Sequence, residues 1–277
     1  MEQEGLKLPT QPVLRIHLDD LNHEANHHFL SLVDCARVLS NAISNVLRYL
    51  YVPHGSHNIP SVRSVTLILR PMGGVAYTTG LALDDLHKEI HLSLDYICNY
   101  IKDPARFRDE TIGVITHEMV HAFQHNCHGA APGGLIEGMA DFVRLKAGLA
   151  PPHWKKIPEE RGKKWDEGYQ KTAWFLEWLE ETHGEGTVSR MNDTMKGHYD
   201  EKQFWHGLFE QDVISLWNKY KASWMDEQAD GVISQPPSTA GTEPEVVELT
   251  DMEKIEADME VEEQVTNQLK KPREFRA

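Results

Sequence analysis

The middle of the chain contains the run Thr116-His117-Glu118-Met119-Val120-His121-Ala122-Phe123. Two histidines four residues apart share one face of an α-helix, about one turn from each other, so both imidazoles can reach one metal ion. The intervening Glu118 lies beside the position of a water molecule on that metal. This H-E-x-x-H spacing predicts a zinc site with His117 and His121 as ligands and Glu118 acting on the water.

A second match, His23-Glu24-Ala25-Asn26-His27, shows that the spacing alone is weak in a chain with 16 histidines. The surroundings distinguish the two matches. Asp109 is the predicted N-cap of a helix through the first match. Its apolar positions form a stripe opposite the two histidines, namely Ile112, Ile115, Met119, Ala122 and Phe123. The second match lies on the polar flank of another helix, so its histidines are predicted to be solvated.

The third zinc ligand has four candidates in the sequence: His125, Cys127, His128 and Glu137. If the helix continues, His125 lies about 12 Å along the axis from the first histidine. That is too far for a single zinc, whose ligands approach to about 2 Å. Cys127 and His128 raise the alternative of a metzincin site, in which a glycine turn brings a third histidine back to the metal. That pattern fails twice, because Gln124 occupies the glycine position and Cys127 the histidine position, with His128 one residue late.

Glu137 is the candidate that the layout of the chain favours. Residues 130–134 read Ala-Ala-Pro-Gly-Gly, a strong turn, and Leu135 to Ala147 has the apolar periodicity of a second helix. Such a turn lets the second helix pack across the first. Glu137 and Asp141 are four residues apart on one face, so one carboxylate can bind the metal while the other hydrogen-bonds a ligand histidine.

The remaining elements are predicted from periodicity. Val13 to Leu18 and residues 65–69 are predicted strands, and His28 to Tyr51 is a predicted long helix. Glu89 to Asp95 alternates apolar and polar residues, which predicts a strand just before the motif helix. It is either an edge strand, where an extended peptide could pair, or a half-buried structural strand. Two further helices are predicted, at Asp166 to Glu181 and at Phe209 to Trp224.

Three stretches beyond the motif carry a family resemblance. They are Gly133-Gly134-Leu135-Ile136-Glu137-Gly138-Met139-Ala140-Asp141-Phe142-Val143-Arg144-Leu145-Lys146-Ala147-Gly148, Ala150-Pro151-Pro152-His153-Trp154 and Trp165-Asp166-Glu167-Gly168-Tyr169. Together with the motif, they resemble the basic secretory protein family. Members of this family in plants, fungi and bacteria are regarded as zinc peptidases and are similar in motif to gluzincins such as thermolysin. The resemblance spans roughly residues 13–220.

The resemblance implies a fold and a ligand set. The implied fold is α+β, with a zincin-like metallopeptidase core, a small mixed sheet, an active-site helix and a mostly helical C-terminal part. The implied cofactor is zinc, held by His117, His121 and Glu137. Glu118 would then be the catalytic carboxylate, and Asp141 would orient a ligand histidine through a hydrogen bond.

The predicted function is hydrolysis of a peptide or protein substrate by a metal-activated water, with Glu118 as general base. The tetrahedral intermediate also needs a hydrogen-bond donor. Tyr169 is the predicted catalytic residue for that task and His153 is the alternative, because both follow the site closely in the sequence. The alternative function is a catalytically inactive zincin-fold binding or scaffold protein that acts through its acidic tail.

Composition divides the chain into three predicted parts: a flexible N-terminus at 1–10, the zincin-like peptidase domain at 11–225 and a tail at 226–277. The tail holds 14 acidic and 5 basic residues and neither tryptophan nor tyrosine, which is typical of disorder. Apolar residues recur in it at helical spacing, which predicts a protein partner for the tail. These are Leu249, Met252, Ile255 and Met259.

Charge and hydropathy limit the other partners. The formal charge is −15 and the sequence has no basic stripe, so nucleic acid is not an expected partner. No apolar run approaches the eighteen or more residues of a membrane span, so no membrane is expected either. The first ten residues lack the basic start and apolar core of a signal peptide, which predicts a cytoplasmic protein, whereas the family resemblance suggests secretion.

Overall fold

The computed structural model describes residue 8 and residues 11–53, 55 and 58–231. The elements in chain order are β1 (Val13–Leu18), α1 (Glu24–Leu32), α2 (Cys35–Leu50), β2 (Ser64–Arg70), β3 (Ala76–Leu81), β4 (Asp84–Ser93), α3 (Leu94–Cys98), α4 (Pro104–Phe123), α5 (Gly133–Lys146), α6 (Tyr169–His183), α7 (Thr187–Thr194), α8 (Glu201–Phe209) and α9 (Val213–Gly231). The predicted α+β class, with a small mixed sheet and a mostly helical C-terminal part, is confirmed.

The four strands form one sheet in the order β1-β2-β4-β3. β1, β2 and β4 are mutually parallel, whereas β3 is antiparallel to β4. β2 is interior, and its residues Val65, Leu67 and Leu69 are fully buried on one face because alternate side chains of a strand point to the same side. The strands predicted at residues 13–18 and 65–69 are thereby confirmed.

Of the two alternatives for Glu89 to Asp95, the edge strand is wrong and the structural strand is confirmed. This segment is the second half of β4, which pairs with β2 on one side and with β3 on the other, and Asp95 belongs to α3. A short turn at residues 82–83 returns the chain so that β3 covers the free side of β4. The edge strands of the described sheet are therefore β1 and β3, and β3 is the one beside β4. Long-range pairing, which local alternation does not report, decides this order.

The predicted helix from His28 to Tyr51 is two helices. The backbone of Val33 is extended, and the Asp34 carboxylate accepts a hydrogen bond from the Arg37 N–H at 3.1 Å. An aspartate that caps the following helix offers the backbone an alternative to continuous hydrogen bonding, so α1 ends at Leu32 and α2 starts afresh. The apolar spacing continues across the break, and for that reason periodicity did not predict it.

The N-cap of α4 lies six residues before the predicted one. Asp103, rather than Asp109, is the cap, and its carboxylate accepts from the N–H groups of Ala105 and Arg106 at 3.1 and 3.0 Å. Pro104 occupies the first turn, where its missing N–H costs nothing and its fixed φ suits a helix. The result is a 20-residue helix that carries the motif in its last two turns.

A buried ion pair fixes α5 against α4. Arg144 of α5 donates to Glu110 of α4 at 3.1 Å, and both side chains are buried. Gly113 makes room for this contact, since a Cβ at that position would lie only 2.6 Å from Arg144 Nε. A buried charge pair of this kind is costly to break from one side. It therefore sets how the two site helices lie relative to each other.

The C-terminal helices form an aromatic core. The ring of Phe175 in α6 has the rings of Trp205, Trp217 and Tyr220 within 6.1 Å. α6 starts three residues later than predicted. The helix predicted at Phe209 to Trp224 is α9, while Phe209 ends the separate α8.

α9 runs past the predicted domain boundary at residue 225 and ends at Gly231. The rest of the predicted acidic tail, residues 232–277, lies outside the described residues, and so does most of the predicted flexible N-terminus. Among the described helices, none has both the length and the apolar composition that a membrane crossing requires.

Candidate metal centre

Two helices bring the candidate ligands together. α4 contributes His117 and His121, and Glu137 reaches them from α5 after the turn at residues 124–132. His117 Nε2 lies 3.1 Å from His121 Nε2, and Glu137 Oε2 lies 3.1 Å from the former and 3.4 Å from the latter. Within the described part of the chain, no other group of three His, Cys, Asp or Glu side chains gathers its ligand atoms in this way.

The spacing of these three atoms suits one small cation. Zinc binds histidine nitrogen and carboxylate oxygen at about 2.0–2.2 Å in tetrahedral geometry, which separates neighbouring ligand atoms by about 3.3 Å. The three observed separations of 3.1, 3.1 and 3.4 Å match that value. Three protein ligands also leave a fourth position for water, as in catalytic rather than structural zinc sites.

Hydrogen bonds to the outer ring nitrogens set the neutral tautomer of both histidines. His117 Nδ1 lies 2.6 Å from Asp141 Oδ1, and His121 Nδ1 lies 2.6 Å from the Gln124 side-chain oxygen. These oxygens accept, so in the neutral imidazole Nδ1 carries the proton and Nε2 presents a lone pair. Two such lone pairs and a carboxylate repel one another unless a proton or a metal ion lies among them. The donor set therefore fits a bound metal ion.

Gln124 is a site residue that sequence reasoning missed as a partner. It is the C-cap of α4, with an extended backbone, and its side-chain amide donates to the Ile136 carbonyl at 3.2 Å. It thereby links His121 to the start of α5. Its position three residues after His121 was the available signal, because that offset can bring a side chain back over the last turn of a helix.

The charges of the cluster are strongly coupled. Burial lowers the pKa of His117, but the Asp141 and Glu137 carboxylates outweigh it and hold the pKa of His117 well above its ordinary value. His121 behaves in the same way: burial lowers its pKa, and Glu137 raises it further than burial lowers it. Burial raises the pKa of Glu137, but the two imidazoles hold that pKa far below the ordinary value. The site therefore favours a negative carboxylate beside positive charge.

Glu118 lies next to the cluster and is only 5% exposed. The Thr78 hydroxyl of β3 donates to Glu118 Oε2 at 2.7 Å, and the Glu118 carbonyl oxygen lies 2.9 Å from the same hydroxyl oxygen. The edge strand thus contacts the carboxylate directly. Sequence reasoning missed Thr78 because it predicted no strand at residues 76–81.

Tyr169 lies at the site, with its ring stacked on His117 at a centroid distance of 6.2 Å and an interplanar angle of 17°. Its backbone has φ of 46°, in the left-handed region that aromatic residues rarely adopt. The segment just before Tyr169 packs closely on the start of α5, since a Cβ on Gly134 would collide with the Asp166 carbonyl oxygen. The loop before α6 therefore lies directly against α5.

His153, the other predicted donor, lies in the loop between α5 and α6. Burial lowers its pKa, and the charges of Glu110, Arg106, Arg144 and Asp141 also act on it. The ring of Tyr169, in contrast, is stacked on that of a candidate ligand.

The alternative third ligands are directed elsewhere. His125 Nε2 bonds the Asn58 carbonyl at 2.8 Å. Cys127 has a buried free thiol, and its backbone N–H donates to the Met195 carbonyl at 2.7 Å. The exposed ring of His128 lies 5.8 Å from that of His198. None of the three joins the cluster.

The second H-E-x-x-H match is also no site. His23 caps α1 by accepting from the Ala25 N–H at 3.2 Å, and its other ring nitrogen lies 3.6 Å from Asp95. His27 is exposed. His27 is thus solvated, as predicted, whereas His23 is a structural cap of α1.

The comparison with known families agrees with the site geometry. A family model described as "Peptidase of plants and bacteria" (BSP) matches residues 11–220, which is most of the chain. No curated protein and no solved structure matches the chain. The match covers every described strand, the motif helix, the Glu137 helix and the first eight residues of α9. The chain therefore belongs to the basic secretory protein family, a family of peptidases of plants and bacteria.

Proposed function

We propose that this protein is a zinc-dependent peptidase of the gluzincin type, with a zincin-like core. The observation that carries the proposal is the cluster of His117 Nε2, His121 Nε2 and Glu137 Oε2 with Glu118 adjacent to it on α4. Two histidines and one carboxylate with an open fourth position are the ligand set of a hydrolytic zinc site. Membership of a peptidase family supports the same reaction class.

The mechanism assigns separate tasks to the residues. His117, His121 and Glu137 would hold the ion, and Asp141 and Gln124 keep the two imidazoles in the ligating tautomer. Zinc, when bound, supplies a Lewis acid that polarises the scissile carbonyl and acidifies a water molecule.

Glu118 completes the proton transfers. Its carboxylate accepts the proton from the attacking water and then delivers it to the leaving amine. Tyr169 is the candidate hydrogen-bond donor to the oxygen that becomes negative during attack. Its ring position against His117 supports this role.

The substrate class follows from the sheet edge. Among the strands that the structure describes, β3 pairs only with β4, and it contacts Glu118 through Thr78. An unpaired strand edge can bind an extended peptide through main-chain hydrogen bonds, independently of side-chain identity. A peptide that pairs with β3 passes the Glu118 carboxylate. The peptide pairing predicted for β4 therefore transfers to β3.

Cleavage of a peptide library tests the proposal. We expect cleavage by the purified protein at a zinc content near one ion per chain, loss of cleavage after chelation, and recovery when zinc is returned. Mass spectrometry of the products measures the cleavage and its position. A zinc-loaded, folded protein that cleaves no peptide or protein substrate would contradict the proposal and favour the binding or scaffold role.

The pH dependence of metal binding gives a second prediction. In the metal-free fold, His117 and His121 have pKa values above the ordinary value of about 6.5. Protonation therefore stabilises the metal-free fold at low pH, and this contribution is lost as the pH rises through the raised pKa values. Zinc requires unprotonated Nε2 atoms, so its stabilising effect has the opposite dependence.

The measurement is the difference in Tm between zinc-loaded and chelated protein. We expect this difference to grow as the pH rises from about 5 to about 8, because fewer protons compete for the ligands. For a zinc site made of ordinary surface histidines, the Tm difference would stop growing at a pH nearer the usual histidine pKa of about 6.5. A Tm difference that does not change with pH would show that the two imidazoles are not ligands.

A further inference from the structure

The geometry points to Thr78 as a positioning residue for the general base, a role that rests on the proposed function. Thr78 lies on the edge strand β3, while Glu118 lies on α4, 40 residues later in the chain. The hydroxyl donates to Glu118 Oε2 at 2.7 Å and lies 2.9 Å from the Glu118 carbonyl oxygen. One side chain thus contacts both ends of the residue proposed as the base.

The strand holds this hydroxyl in a fixed place. Thr78 is paired with Ile90 of β4, whose side chain is fully buried. A β-branched residue in a strand also has few χ1 choices, so the hydroxyl has little freedom. Glutamate, in contrast, has three side-chain torsions, of which the terminal one is broad. The hydrogen bond from Thr78 therefore restricts the glutamate side chain, because its donor is held by an ordered strand.

The donor is also chemically suited to the task. A hydroxyl carries no charge, so it orients the carboxylate without placing a cation beside a group that must accept a proton. With Oε2 engaged by Thr78, Oε1 is the oxygen that takes the proton from water. Alignment of this kind matters because a displacement of about 1 Å in a reacting group can cost a factor of about 100 in rate.

The same strand then sets two positions at once. A peptide paired with β3 has its backbone fixed relative to this strand, and Thr78 fixes the carboxylate relative to the same strand. The distance between scissile bond and base therefore depends on one element rather than on two independent ones. This role goes beyond metal binding, because Thr78 is not among the three ligand residues.

Kinetics of Thr78→Val and Thr78→Ser test the role. Valine keeps the shape and removes the donor, whereas serine keeps the donor. We expect Thr78→Val to lower kcat about 10- to 100-fold with KM and zinc content unchanged. We expect Thr78→Ser to stay within about threefold of the wild type. Thr66→Val, at a half-buried threonine of the interior strand β2, is the matched control and should leave kcat unchanged.

The outcomes separate this inference from the proposed function. Wild-type protein that cleaves nothing overturns the proposed function and the inference with it. Wild-type cleavage with an unchanged kcat in Thr78→Val overturns the inference alone. Zinc loss in Thr78→Val, or equal defects in the valine and serine variants, assigns Thr78 a structural role and also overturns it. If the valine variant does not fold, Thr78→Ala, which removes the donor without adding bulk, supplies the same comparison.

Discussion

Replacement of Glu118 by glutamine is expected to lower peptide hydrolysis by a factor of about 10² to 10⁴, or about 3–5 kcal/mol in activation free energy. Glutamine keeps the size of the side chain and its hydrogen bond with Thr78, but it cannot accept the proton of the attacking water. Zinc content should remain near one ion per chain, because Glu118 is not among the three clustered ligand residues. The measurements are kcat with a cleaved peptide and zinc content by elemental analysis.

The second H-E-x-x-H match provides the control. Glu24 is exposed at the start of α1, and Glu24→Gln makes the same chemical change in the same local sequence pattern. We expect it to leave hydrolysis unaltered. If Glu118→Gln cleaved as fast as the wild type, Glu118 would have no role as the base and another proton acceptor would be required.

Glu137→Ala is expected to lower zinc affinity by more than about 100-fold. Loss of a residue that only hydrogen-bonds a metal ligand costs up to about 100-fold, and loss of a ligand itself should cost more. The carboxylate is the anionic member of the cluster, at 3.1 and 3.4 Å from the two imidazoles. Without it the ion has two neutral ligands and less charge compensation. Since zinc binds the folded protein, the rise in Tm on adding zinc should also largely disappear.

Competition against a chromophoric chelator measures this affinity, and thermal unfolding with and without zinc measures the stabilisation. Glu181→Ala removes a carboxylate at an exposed position on α6 and is the control. It should keep the wild-type zinc affinity and the wild-type rise in Tm with zinc. Full zinc affinity in Glu137→Ala would mean that another side chain completes the site.

Local signals located most of the elements but not their limits. The helix that carries the motif has two possible starts, since both Asp103 and Asp109 precede helical sequence. The structure uses Asp103, where Pro104 follows directly and suits the first turn. At Asp34 the same kind of cap interrupts a helix whose apolar spacing continues. Periodicity therefore reports which residues face the core and misses where the backbone hydrogen bonds stop.

The sheet shows a different limit. β2 was predictable because a buried parallel strand is rich in apolar residues. β1 was predictable from its β-branched and apolar residues, although it is a largely exposed edge strand. β3 was not, because Tyr77, Thr78, Thr79 and Gly80 form no clear apolar alternation. Its position at the edge depends on pairing with β4 through a short turn. For this reason the contact between Thr78 and Glu118 was invisible in the sequence.

The sequence by itself determined the relation between His117, Glu118 and His121, because their spacing on one helix is fixed by the repeat of the backbone. It also placed Glu137 and Asp141 on one face of a second helix. Tertiary structure decided that Asp141 bonds His117 while Gln124 bonds His121, and that β3 supplies the contact to Glu118. These contacts depend on how α5 crosses α4 and on which strand reaches the sheet edge. Both follow from packing between segments that are distant in the chain, which no local pattern encodes.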